Sequence, residues 1–129
     1  MISARFIAAL IAVESNGDPS AIGDGGRALG CLQIHAAVVQ DVNRAYGTDY
    51  HHEDALDARK AVHICRLYLA LYAPAGADHE TLARIWNGGP RGHRKAATLA
   101  YWKKVAQKLD ARKCSAQPSA VSCHTSQRR

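Results

Sequence analysis

Stretches of apolar residues at helical spacing, each cut short by glycine or proline, constrain this chain more than any other feature. Ile2, Phe6, Leu10 and Val13 fall on one helical face with Ile7 and Ile11 on its flanks. The first helix is therefore expected to be buried over much of its surface, ending near Ser15-Asn16-Gly17 ahead of Asp18-Pro19. A second is predicted from about Leu32 to Tyr46, with Ile34, Val38, Val42 and Tyr46 on one face and Gly47 as its stop. A third starts near Asp54, carries Ala58, Ala61, Val62, Cys65, Leu69 and Tyr72, and closes before Pro74. A short fourth runs from about Asp78 to Trp86, broken by Asn87-Gly88-Gly89-Pro90. The fifth spans about Lys95 to Leu109, with Thr98, Tyr101, Trp102, Val105 and Leu109 turned inward. No segment alternates long enough for a regular strand, while Gly23, Gly25, Gly26 and Gly30 crowd into one short stretch. The predicted fold class is mainly α, with a small irregular glycine-rich hairpin.

A length of 129 residues suits one core. We place the folded domain at 1–112 and a basic, polar tail at 113–129, where Ser, Gln, Pro, Thr and Arg replace apolar periodicity. The net charge of +6 attracts polyanions, which leaves nucleic acid, membrane surfaces and anionic wall polymers as partners. The chain offers no reading helix and no aromatic-basic stripe for nucleic acid, and no apolar run of about 18 residues for stable membrane insertion. Met1 to Val13 has the look of a short export signal, but no small-x-small cleavage site follows, and it reads as the first helix. Cys31, Cys65, Cys114 and Cys123 lack zinc-site spacing, so neither a metal nor another cofactor is expected. Cys31 and Cys65 read as buried thiols, and Cys114 with Cys123 as the ends of a small loop in an oxidising compartment. His51, His52 and His93 read as surface residues, and the domain as a monomer.

Chemistry enters at Glu14, which falls in the last turn of the apolar first helix. Desolvation and the negative helix end both raise a carboxyl's pKa there, as a proton donor working near neutral pH requires. The alternative is a glutamate that ends a helix and points to water. Asp24, in the glycine-rich loop expected beside Glu14, is either a second working carboxylate or a turn residue bonding its own loop.

Three motifs then follow in order: Glu14-Ser15; Gly23-Asp24-Gly25-Gly26 leading to Gly30-Cys31-Leu32-Gln33-Ile34; and Ile85-Trp86-Asn87-Gly88-Gly89, with Thr98 and Tyr101 after them. Together they resemble the soluble lytic transglycosylases and goose-type lysozymes of the lysozyme-like superfamily, over about residues 8–105. The resemblance implies a peptidoglycan-cleaving enzyme acting on the β-1,4 bond between N-acetylmuramic acid and N-acetylglucosamine, with Glu14 as acid. It implies supporting roles around the sugar for Ser15, Gln33, Asn87 and Tyr101, and a close backbone approach at Gly88 and Gly89. The expected outcome is lytic transglycosylation, in which one glutamate serves as acid and base and the sugar's own hydroxyl attacks. The alternative is hydrolysis, with Asp24 positioning water across a carboxyl separation of roughly 6.5–9.5 Å. His35, where the family often has Asp, weakens that alternative. A chitin-cleaving activity, a wall-binding module without activity and a basic nucleic-acid-binding domain are the other readings. Trp86 and Trp102 are sugar-stacking or core residues, and Arg91, Arg94, Lys95, Lys103 and Lys104 form a basic face for acidic wall groups or plain solvent. A wall-directed location is expected, through a phage-encoded enzyme or as a domain of a longer chain.

Overall fold

The computed structural model describes residues 2–115, with side chains to residue 111. Helix α1 (Ala4–Ser15) is capped by Ser3, whose hydroxyl accepts the Phe6 N–H at 3.0 Å, and ends on Asn16 in the left-handed region. Strands β1 (Ile22–Gly23) and β2 (Ala28–Leu29) pair antiparallel, Ile22 opposite Leu29 and Gly23 opposite Ala28, around a 3-10 turn at Asp24–Gly26. Helices α2 (Ala36–Tyr46), α3 (Ala58–Tyr72), α4 (His79–Gly88) and α5 (Leu99–Ser115) complete the fold. The mainly α class with one small hairpin is the predicted one.

Packing runs α1 on α5, α5 on α4, α4 on α3 and α3 on α2. Phe6, Leu10, Leu32, Ile34, Val42, Ile64, Leu69, Ile85 and Val105 are fully buried in one core. Burial of side chains this size contributes about 1.5–3 kcal/mol each, more than helix propensity alone supplies. The hairpin is pressed onto that core at Gly30, which has φ 82°; a Cβ there would stand 1.8 Å from the Ala55 carbonyl oxygen. Cys31 and Cys65 are buried free thiols, as expected.

Several boundaries differ from the sequence reading. Helix α2 begins at Ala36 instead of Leu32, because Leu29 and Ile34 exchange backbone hydrogen bonds at 3.1 and 2.9 Å around a tight turn. Gln33 takes a left-handed φ of 50° in that turn, so it does not open the helix. Tyr46 is exposed, and its phenol reaches the Leu67 carbonyl. Asp57, not Asp54, caps α3, accepting the Arg59 and Lys60 N–H groups, while Asp54 lies in the 3-10 turn His52–Leu56. Helix α4 continues through Asn87 to Gly88 and stops at Gly89, φ 90°. Lys95 is extended and Ala96–Thr98 form a 3-10 turn ahead of α5, which starts at Leu99. The tail assignment and the Cys114–Cys123 loop fall largely on residues 116–129 and on side chains beyond 111, outside the described residues.

Candidate active site

Helix α1 carries Glu14 to the floor of a cleft of about 250 Å³ that is also lined by Asp24, Gln33, His35, Trp86 and Asn87. Burial among apolar neighbours pushes the Glu14 carboxyl up from 4.5 to about 7. Two groups pull the other way: the Tyr101 hydroxyl, donating to Oε2 at 2.7 Å, and the Trp86 indole beside it. The result is a carboxyl that holds a proton near neutrality yet has a donor ready for its ionised form. Burial and the nearby Glu14 charge push Tyr101 well above its ordinary range, so it stays a phenol.

The cleft's other wall comes from the hairpin and the turn after it. Asp24 is exposed and non-glycine at φ 52°; Arg27 Nη2 lies 3.2 Å from its Oδ1, and His35 Nε2 3.4 Å from its Oδ2. The Gln33 amide donates to the Ala21 and Gly30 carbonyls at 3.2 and 3.0 Å, closing the hairpin from within. Its NH2 is thereby spent, and only its Oε1 remains for another partner. Asn87 presents an exposed amide from the last turn of α4. Trp86 is 9% exposed and packs edge-on against Tyr68, so it serves the core and the cleft wall together.

The remaining expected site residues stand behind this surface. The Ser15 hydroxyl donates to the Cys31 carbonyl at 2.8 Å and accepts the Asp18 N–H, tying the end of α1 to the hairpin. Gly88 faces the 3-10 turn ahead of α5: a Cβ there would meet Thr98 Cγ2 at 2.6 Å, so its bareness lets that turn pack closely on α4. Gly89 caps α4 and is not among the cleft residues. Trp102 packs on the core. In the basic stretch, Lys95 Nζ donates to the Gly88 carbonyl and Arg91, Arg94, Lys103 and Lys104 are exposed.

Two of the histidines expected at the surface are partly buried. His52 Nε2 lies 2.8 Å from the Ile34 carbonyl, and the His93 Nδ1 is unpartnered among the described residues. His35 was missed as a site residue, since only the turn before α2 brings it opposite Asp24. Among the described residues, no three His, Cys, Asp or Glu side chains are arranged to hold a metal ion. None of the helices there is long and apolar enough to cross a membrane.

The family model of the transglycosylase SLT domain matches residues 1–109. A lysozyme of Magallana gigas is 45% identical over 56 residues, 41% of this chain and 41% of that protein. The match thus spans about two-fifths of that relative's length. Among solved structures, a chain in the complex of Aeromonas hydrophila PliI with Meretrix lusoria lysozyme superposes with a TM-score of 0.71 at 29% identity. It covers 82% of this chain and 89% of that one. The structure of inhibitor-bound lysozyme from Meretrix lusoria matches equally, with a TM-score of 0.71 at 29% identity.

Proposed function

The chain belongs to the transglycosylase SLT domain family, and from that premise we propose that it cleaves the β-1,4 bond between N-acetylmuramic acid and N-acetylglucosamine of peptidoglycan, with Glu14 as the proton donor. The observation that carries this is the Glu14 carboxyl, buried on the cleft floor, raised to about 7 and hydrogen-bonded by Tyr101. A carboxyl titrating near working pH is present in its acid form when the glycosidic oxygen needs a proton, and its conjugate base survives afterwards. The cleft lies below the ~300 Å³ at which pockets enclose a whole small ligand, which suits a site gripping one unit of a longer strand. Asn87 and the Gln33 carbonyl oxygen are the polar groups available to the N-acetyl and hydroxyl substituents, and Trp86 offers a ring edge.

Hydrolysis is the outcome we favour, because Asp24 lines the same cleft and its carboxylate can orient water toward the anomeric carbon. The relatives named as lysozymes support the same outcome. Lytic transglycosylation is the second reading, favoured by the family match and by Glu14 standing on the floor while Asp24 is exposed. There Glu14 protonates the leaving oxygen and then accepts the proton of the muramoyl hydroxyl that closes the ring.

Mass spectrometry of fragments released from purified peptidoglycan separates the two. Reducing muramic ends that fall away with Asp24→Asn are expected. Anhydro-muramoyl ends formed at the same rate by Asp24→Asn would replace hydrolysis by the second reading. The protein is proposed to act as a monomer directed to the cell wall, with the proton chemistry supplied by its own side chains.

A further inference from the structure

Asp24 is the most exposed of the cleft's carboxyls, and an exposed side chain on a turn rotates freely unless something holds it. Here each oxygen has its own partner: Arg27 Nη2 at 3.2 Å from Oδ1 and His35 Nε2 at 3.4 Å from Oδ2. Arg27 belongs to the same turn, its Nε and backbone N–H both reaching the Asp24 carbonyl at 3.1 and 3.2 Å. His35 comes from a different element, the residue immediately before α2. That N-cap position favours Ser, Thr, Asp or Asn, whose oxygens satisfy the first helix N–H groups. The His35 side chain makes no such bond, so it does nothing for its own helix and turns to Asp24 instead.

We infer that His35, together with Arg27, is a positioning residue that fixes the direction in which the Asp24 carboxylate faces the cleft. Each carboxylate oxygen retains a second lone pair for water after engaging one N–H group. Two anchors on opposite oxygens remove the rotation that would otherwise scatter that lone pair. The neighbouring charged and titratable groups leave His35 in this role: Glu14 lies on the cleft floor, and His52, across the adjoining groove, has its Nε2 directed to the Ile34 carbonyl. Anchoring of this kind acts on the chemical step and not on substrate affinity. The inference rests on the hydrolytic reading above.

The test is kcat and KM on solubilised peptidoglycan strands for His35→Ala, His35→Gln, Asp24→Asn and the double variant, with thermal unfolding in parallel. His35→Ala is expected to lower kcat about tenfold with KM within about twofold, and His35→Gln, which keeps a donor, to restore most of it. In the Asp24→Asn background His35→Ala is expected to change nothing further, since its route runs through Asp24. Loss with Asp24→Asn but none with His35→Ala overturns the inference and leaves hydrolysis by Asp24 intact. The same tenfold loss in the Asp24→Asn background also overturns it. Asp24→Asn at the wild-type rate removes the hydrolytic reading, and the inference with it.

Discussion

A single carboxyl carries most of the proposed chemistry, and its environment makes both stability and activity fall as pH rises. Glu14 titrates at about 7 in the fold against 4.5 ordinarily, so the unfolded chain gives up this proton first. Its contribution to stability therefore declines as pH rises from 4.5 towards 7, and the whole penalty stands above that. Glu14→Gln is expected to stabilise the protein at pH 8 by up to about 3 kcal/mol and to change little at pH 4, as thermal unfolding at the two pH values would show. Activity that needs the protonated acid falls as pH rises through the same region. Tyr101→Phe removes the hydrogen bond that favours the carboxylate, and should move this alkaline limb upward by about one unit in the pH–rate profile. The position of Glu14 on an apolar helix was legible in the sequence, and Tyr101 was legible through the family's motif order. His35 was not: its pairing with Asp24 depends on the positive φ of Gln33 and on where α2 begins, and no spacing rule encodes either.

Between elements, the junction of α4 and α5 is built around one buried hydroxyl. Thr98, 2% exposed, donates to the Gly92 carbonyl at 2.7 Å and accepts from Arg84 Nε at 2.9 Å, while its methyl fills the space left by Gly88. Arg84 is further fixed by Glu80 and the Lys95 carbonyl. Tyr101, three residues beyond Thr98, meets Glu14 where α5 packs on α1, and this junction fixes the start of the same helix. Thr98→Val keeps the shape but strands buried polar groups, and is expected to cost about 2–3 kcal/mol in chemical denaturation. Ser15→Ala, which cuts the bond from α1 to the Cys31 carbonyl, is expected to cost about 1 kcal/mol by the same measurement. The helices themselves were readable, because 3.6-residue periodicity and Gly or Pro stops act locally. Their starts were less so: the capping of α3 by Asp57 and the bridge between Leu29 and Ile34 are decided by tertiary packing, which a local pattern does not contain.

At the scale of the molecule, the hairpin and α1 supply the floor and one wall of the cleft, and the end of α4 supplies the other. That division explains why the site's motifs are scattered over the chain, and why only their order pointed to a common place. The net charge of +6 adds a long-range attraction to an anionic wall. Cleavage of intact sacculi is thus expected to weaken severalfold as salt rises well above about 0.15 M, with cleavage of uncharged N-acetylhexosamine oligomers little affected. The most direct test of the whole account is the release of soluble fragments from purified peptidoglycan by the wild-type protein and by Glu14→Gln, both verified as folded by circular dichroism. Release by the wild type that drops at least about a hundredfold in the variant is the predicted result. Equal release by the two proteins would contradict the role of Glu14, and no release by a folded wild type would contradict the activity itself.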